Sequence, residues 1–319
     1  MKARTIVPAV LGLALAAGLV TWALRRAGGE RFVESLAQAE WVYLLPVVLC
    51  EIAVHIAKAW KWTGLLAPVK KVRLGSALSA VLVGGAATQV IPLRLDELLR
   101  AKVLSDAEDL SSASVLATVA VDRIIEILVL GSLIGVIALA GPPPGALGTA
   151  WRVLAVVFGV GVVGLLVFLR LEAPITDRLR AWDGALSGLV TKGADMATDI
   201  ARTLRAIPSG AALGRVVTGT AVEWGAVIIG YGFVLAAFGI TAPLRVPLTL
   251  SLGGAAAYGV PNVPGAIGTF EAALVSLLEP LLGLPPADAL AIAVTAHLLL
   301  TIPVTLAGAA VALHLWVRR

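Results

Sequence analysis

Charge is what this sequence has least of for its size. Only 14% of its 319 residues are Asp, Glu, Lys or Arg, where a soluble globular domain carries about a quarter. With 59% apolar residues, the chain belongs in a bilayer. Cysteine occurs once, at Cys50 within an apolar run, which excludes an intrachain disulfide and the clustered thiolates of a zinc or iron–sulfur site. The three histidines His55, His297 and His314 form no His-Glu-x-x-His, and no Gly-Lys-Ser/Thr phosphate loop is present, so no metal, nucleotide or other cofactor is expected. The excess of 25 Lys+Arg over 20 Asp+Glu reports orientation in a membrane rather than affinity for nucleic acid. The last apolar run closes at Trp316-Val317-Arg318-Arg319. No soluble catalytic domain is therefore expected, and the chain is expected to act within the membrane or at its surface without being an enzyme.

Six stretches have the roughly 20 apolar residues that a spanning helix needs: Thr5–Leu24, Trp41–Trp60, Ser112–Ala140, Ala150–Leu169, Ala211–Gly239 and Ala289–Val317. Two more apolar regions are broken. Leu74–Leu104 is interrupted by Pro92, Arg94, Asp96, Glu97 and Arg100, and Leu248–Leu282 by Pro261-Asn262-Val263-Pro264-Gly265. Lys58, Lys61, Lys70, Lys71 and Arg73 place the connection before the first broken region in the cytoplasm, whereas Gly141–Thr149 has no charge and belongs outside. One span separates them, so the first broken region (74–104) is expected to enter and leave on the cytoplasmic side as a re-entrant hairpin. The same accounting makes 248–282 a second hairpin entering from outside, with both termini cytoplasmic.

The hairpins repeat each other. Gly84-Gly85-Ala86-Ala87 precedes Pro92 by the same spacing that separates Gly253-Gly254-Ala255-Ala256 from Pro261, and an acid follows each proline, Glu97 or Glu271. The expected architecture is thus all-α and polytopic, with about six spans and two re-entrant hairpins in an inverted repeat. The chain has one Asn and two Gln, and Gln89 and Asn262 both fall at the breaks. Between Pro174 and Ile207, apolar residues recur at three- and four-residue steps with charges between them. That pattern reads as a cytoplasmic amphipathic segment, either lying on the leaflet or packed on the membrane domain.

An ionisable group in hydrocarbon costs about 3 kcal/mol or more, so those present are worth pairing. Glu51, His55 and Lys58 lie at i, i+4 and i+7 and share one stripe of a helix. Asp122 and Glu126 share a face, while Arg123 points about 100° away and could meet the first hairpin's Glu97. Internal pairs that hold a broken backbone are one role for Arg123 and Glu97; lining a site is the other. Arg94 and Arg100 stand near a proline break followed by a helix start, an arrangement suited to an anion and above all to phosphate. Pro261, Asn262, Pro264, Gly265 and Gly268 with Glu271 form the matching break in the second hairpin. Glu51, His55, Glu223 and His297 are candidate gating or proton-linked groups. Gly131 and Gly135 form a Gly-x-x-x-Gly that reads as close helix packing. Trp60, Trp62, Trp151, Trp182, Trp224 and Trp316 fall near span ends, where interfacial anchors belong.

Four segments in order then carry a resemblance: Lys58-Ala59-Trp60-Lys61-Trp62-Thr63-Gly64-Leu65-Leu66, Ile91-Pro92-Leu93-Arg94-Leu95-Asp96-Glu97-Leu98-Leu99-Arg100, Val121-Asp122-Arg123-Ile124-Ile125-Glu126 and Val263-Pro264-Gly265-Ala266-Ile267-Gly268-Thr269-Phe270-Glu271. Together they resemble the signatures of the lysylphosphatidylglycerol synthase transmembrane family, which is flippase-like. The resemblance implies translocation of a phosphate-bearing lipid head group, whether phospholipid, aminoacylated phospholipid or polyprenyl-phosphate-linked. Family members typically carry Pro-Gly-Arg-x-Gly-Glu in the first hairpin; Pro92-Leu93-Arg94-Leu95-Asp96-Glu97 keeps proline, arginine and glutamate and loses both glycines. Asp122 stands where Glu is usual. The synthase domain is not expected here, so lysyl transfer is not carried over. Arg94, Glu97, Arg100, Asp122, Arg123, Glu126 and the second break through Glu271 are the expected substrate-binding set, with no catalytic residue and no metal. A membrane lipid is the expected substrate and the cytoplasmic membrane the expected location. Candidate protein partners are a lipid-modifying enzyme and a second copy of the chain. The alternatives are a proton-coupled small-solute transporter and a non-transporting accessory protein of such an enzyme.

Overall fold

A computed structural model describes residues 21, 29–91, 95–140, 145–182, 184, 186–206, 210–259 and 264–317. The first expected span, Thr5–Leu24, therefore lies almost wholly outside the described residues. Among those residues there is helix and no strand. The helices are α1 (Gly29–Gln38), α2 (Leu44–Leu66), α3 (Leu74–Thr88), α4 (Asp96–Glu108), α5 (Ser112–Ala140), α6 (Gly145–Arg180), α7 (Ser187–Ala206), α8 (Gly210–Ala237), α9 (Arg245–Gly259), α10 (Thr269–Leu282) and α11 (Pro286–Val317). Four of the described helical stretches are long and apolar enough to cross a membrane: Trp41–Leu66, Gly148–Arg180, Gly210–Ala237 and Pro286–Val317. Helix α5 has 29 residues but carries Asp122, Arg123 and Glu126 near its middle. The protein is an all-α polytopic membrane protein.

Both broken regions fold as a helix, a break and a second helix. Each first arm, α3 and α9, has 15 residues; the second arms, α4 and α10, have 13 and 14. A long helix precedes and another follows each pair, so α2 to α5 and α8 to α11 run in the same order. The chain divides into two compact units. The first comprises Met1–Ala59, Leu78–Val103 and Gly219–Arg319, and the second Trp60–Ala77 and Leu104–Thr218.

In the first unit, α10 packs on α9 and α11, and α11 also packs on α1. The repeated glycine pairs do matching jobs there. Gly84 receives the Arg100 stem from its own second arm, where an added Cβ would lie 3.1 Å from Arg100 Cβ; Gly253 receives Leu277 from α10, at 2.4 Å. The second glycine of each pair faces a helix outside its hairpin: Gly85 meets Val304 of α11 at 2.6 Å, and Gly254 meets the Tyr231 hydroxyl of α8 at 2.3 Å. Shared packing roles of this kind are what a structural repeat produces, since each half-helix must bury the same small face. Helix α10 ends at Gly283, whose left-handed φ of 65° lets its N–H reach Glu279 O at 2.9 Å. Pro285 and Pro286 follow, and Pro286 opens α11.

In the second unit, α5, α6 and α7 pack on one another. A Cβ on Gly131 would lie 1.9 Å from the Phe158 ring, so close packing of α5 on α6 requires glycine there; Gly135 faces open space. Along α6, Val153, Val156, Val157, Val160, Val163 and Leu166 are all exposed, as suits a helix whose solvent is lipid. The sequence separates a span ending at Leu169 from a segment beginning at Pro174, but α6 runs through Pro174 to Arg180. In the turn before the proline, Arg205 of α7 donates to Leu169 O and pairs with Glu172 at 3.1 Å. The amphipathic segment is thus the end of α6 and the separate helix α7.

Helix α2 extends to Leu66, past the Trp60 boundary read from hydropathy. Lys61, like Lys58 before it, is therefore a helix residue and not a loop charge. Lys70, Lys71 and Arg73 remain in the connection, where Arg73 Nε pairs with Glu108 at 3.0 Å. Trp62 and Trp151 are buried within the protein, Trp62 donating to Thr118 Oγ1 at 3.0 Å; Trp60, Trp182 and Trp316 are exposed.

Candidate functional site

The two breaks of the first unit touch. Gly265, with φ of 61°, sits so close to Gln89 that an added Cβ would lie 2.8 Å from Gln89 Oε1. The Gln89 side chain also hydrogen-bonds the Tyr258 hydroxyl. Gln89 and Tyr258 are related by the sequence offset that relates Gly84 to Gly253 and Pro92 to Pro261. Equivalent positions of the two repeats thus meet each other, as residues beside a pseudo-two-fold axis do.

The second break is held by an acid and a histidine. Glu271, in the first turn of α10, accepts the Gly268 N–H at 2.7 Å through Oε2. Its Oε1 lies 2.6 Å from His297 Nδ1, and His297 Nε2 lies 2.7 Å from Gly265 O. A carbonyl only accepts, so Nε2 carries a hydrogen. At 2.6 Å the Nδ1–Glu271 contact holds one proton between its two atoms. His297 is buried and stacks on Phe270 at 4.5 Å, with Tyr258 edge-on at 6.1 Å. This clamp fixes a loop in which Gly265, Ala266 and Gly268 all have positive φ, 61°, 54° and 82°. Glycine takes such angles without cost, and Ala266 stores about 1 kcal/mol of strain. The start of α10 thus already holds a carboxylate of its own, Glu271.

The first break differs. Thr88 Oγ1, at the end of α3, lies 3.0 Å from Gly84 O and 2.9 Å from Asp96 Oδ2, joining the two arms. Asp96 and Glu97 occupy the first turn of α4, so this helix start too meets carboxylates of its own. Arg100 is 5% exposed, its stem laid on Gly84. Pro92, Arg94, Pro261 and Asn262 lie outside the described residues, as does the Pro264 side chain.

The stripe on α2 forms as its spacing predicts. Glu51 is buried, His55 Nδ1 lies 2.8 Å from the Glu51 carbonyl, and Lys58 reaches buried Glu223 of α8 at 3.5 Å. A Cβ on Gly85 would stand 3.7 Å from His55 Nε2.

The second unit has its own ionic cluster. Lys61, fully buried, lies 2.9 Å from Asp122 Oδ1 and 3.7 Å from Glu126 Oε1, and Arg123 pairs with Glu126 along the same helix. Asp122 and Glu126 do share a face, and the cation on that face is Lys61. Sequence reasoning placed Lys61 in a loop because it stands in a basic run. Its signal was helical phase, since Lys58 and Lys61 lie three residues apart at the end of an amphiphilic helix. Tyr258 was also missed; its correspondence with Gln89 could have found it.

A family model described as the lysylphosphatidylglycerol synthase transmembrane region matches residues 9–308. The chain belongs to this family. Among curated proteins, the glycosyltransferase AglD of Haloferax volcanii is 27% identical over 255 residues, which cover 70% of this chain and 41% of that protein. The chain thus spans less than half the length of this relative. No solved structure matches it.

Proposed function

We propose that this member of the family moves a phosphate-bearing lipid head group from one leaflet to the other, with no catalytic step of its own. Membership of a family described from a lipid synthase's membrane region ties the chain to membrane lipids. The observation that carries translocation is the meeting of two interrupted hairpins at Gln89, Tyr258 and Gly265, beside the buried pair of Glu271 and His297. Backbone breaks of this kind persist at membrane depth where protein buries them or where they line a polar path. In this reading the hairpins re-enter from opposite faces and meet near the midplane, while the acyl tails stay in the bilayer.

Arg94 and Arg100 serve the phosphate in this scheme, because guanidinium holds it with two parallel bonds. Glu97, Glu271 and the second break adjust access from within the first unit. The cluster of Lys61, Asp122, Arg123 and Glu126 changes pairing within the second. Both termini face the cytoplasm, and the end of α6 with α7 lies on that leaflet of the cytoplasmic membrane. The relative's name is that of a glycosyltransferase, and more than half of it lies beyond the matched region. That supports a lipid-modifying enzyme as the partner and a polyprenyl-phosphate-linked sugar among the candidate head groups.

The test is purified protein in liposomes containing fluorescent anionic, zwitterionic or polyprenyl lipids. Quencher access to inner-leaflet head groups is expected to rise above that of empty vesicles for one lipid class, and Arg100→Ala is expected to abolish the gain. Unchanged access across all three classes refutes translocation by this chain.

A further inference from the structure

Buried carboxylates in this protein have partners, with one exception that stands out among the described residues. Glu271 has His297 and the Gly268 N–H, Asp122 has Lys61, Glu108 has Arg73, and Glu172 has Arg205. Glu51 is 7% exposed, and among the described residues no hydrogen-bond donor reaches its carboxyl group. Its closest basic nitrogen is His55 Nδ1, 4.0 Å from Oε2, and that nitrogen is engaged by the Glu51 main-chain carbonyl at 2.8 Å. Lys58, two turns along the same stripe, is held by Glu223.

The geometry points to a proton-binding site at the buried Glu51 carboxyl in the first unit. An ionised carboxylate buried without a donor costs several kcal/mol, and taking up a proton removes that cost. The titratable groups that act on it electrostatically are Cys50, His55 and Lys58 on its own helix, Tyr231 on α8 and Tyr258 on α9, with Glu223 of α8 holding Lys58. A lone buried carboxyl that no donor reaches is suited to one proton, which neutralises it in place. Tyr231 and Tyr258 both lie within electrostatic reach of Glu51. Tyr258 then bonds Gln89, Gln89 abuts Gly265, and the Gly265 carbonyl accepts from His297. Loading or emptying Glu51 alters the field on Tyr258, whose hydroxyl bonds the Gln89 side chain beside the contact of the two hairpins. Proton linkage of head-group movement follows, and only that consequence rests on the translocation reading; the site itself does not.

The experiment is infrared spectroscopy of the full chain in liposomes at about pH 7, where an exposed carboxyl is ionised. A carboxylic-acid C=O band is expected in the wild type, lost in Glu51→Gln and returned at a shifted frequency in Glu51→Asp. No such band, or the same band in both variants, overturns the site. Carbodiimide, which couples to protonated carboxyls in apolar surroundings, is expected to form an adduct on the Glu51 peptide of the wild-type protein. This needs no variant, and adducts confined to other peptides overturn the site. A band and adduct at Glu51 with no lipid movement leave the proton site standing and sink the translocation reading; lipid movement with neither signal does the reverse.

Discussion

Removing His297 should loosen the second hairpin more than any exposed substitution can. In His297→Ala the Glu271 carboxylate keeps the Gly268 N–H but loses its cationic or proton-sharing partner at 2.6 Å, and Gly265 O loses its donor at 2.7 Å. Breaking one side of a buried charge pair costs about 3–5 kcal/mol, and stranding a buried carbonyl adds about 1–3 kcal/mol. The ring's stacking on Phe270 at 4.5 Å contributes about 0.5–1.5 kcal/mol more. These terms overlap, so a loss of at least about 3 kcal/mol is the expected outcome. Glu271→Gln should cost less, because the amide can still accept from Gly268 and face the imidazole. The assay is denaturation of the purified protein in mixed micelles, comparing both single variants with the double variant. The interaction energy should be about 1–3 kcal/mol in the sense that the second substitution costs less once the first is made. Additive losses, within about 0.5 kcal/mol, would refute the clamp. So would a His297→Ala protein as stable as the wild type.

Three further outcomes follow from the packing and charges. Gly308→Leu should disrupt the contact of α11 with α3, because even a Cβ would lie 2.1 Å from Leu82 O and 2.6 Å from Ala86 Cβ; a loss of about 1–3 kcal/mol or more is expected, against near neutrality for Gly135→Ala, and equal melting temperatures for the two would count against the described crossing. Lys61→Ala should cost about 3–5 kcal/mol by leaving Asp122 and Glu126 without their buried cation, and adding Asp122→Ala should recover part of it in a double-mutant cycle. Burial pushes the Glu108 carboxyl up, but hydrogen bonds from Ser76 and Arg73 outweigh it and hold the group below the usual carboxylate value. A depressed value stabilises the fold above the unfolded-state pKa, and that contribution is lost as pH falls through the folded value. Arg73→Ala should therefore flatten the acid limb of the stability profile by a small amount, since Arg73 is exposed; an unchanged limb removes Arg73 as a cause.

Much of this molecule was legible without coordinates because the signals are local. Apolar run lengths mark the long helices, prolines and glycines mark both breaks, and the stripe of Glu51, His55 and Lys58 follows from 3.6-residue periodicity. The doubled Gly-Gly-Ala-Ala announced a repeat, and the structure gives each copy the same two packing duties. Local signals failed where a neighbour overrides them. Pro174 reads as a helix end, yet α6 runs on to Arg180, with Arg205, distant in sequence, donating to Leu169 O in the turn before it. Lys61 reads as a cytoplasmic loop charge until Asp122 and Glu126 stand beside it.

By itself, then, the sequence determined that the chain lives in a membrane, that it is helical, where its helices break, and which few ionisable groups lie within them. Apolar content and backbone chemistry settle those matters residue by residue. Only the tertiary structure decided who meets whom: His297 with Glu271, Gln89 with Tyr258 and Gly265, and Lys61 with Asp122. A periodic pattern fixes the face on which a side chain lies but not the helix opposite it, and in a chain this poor in charge the choice of partner separates a satisfied carboxylate from an open one.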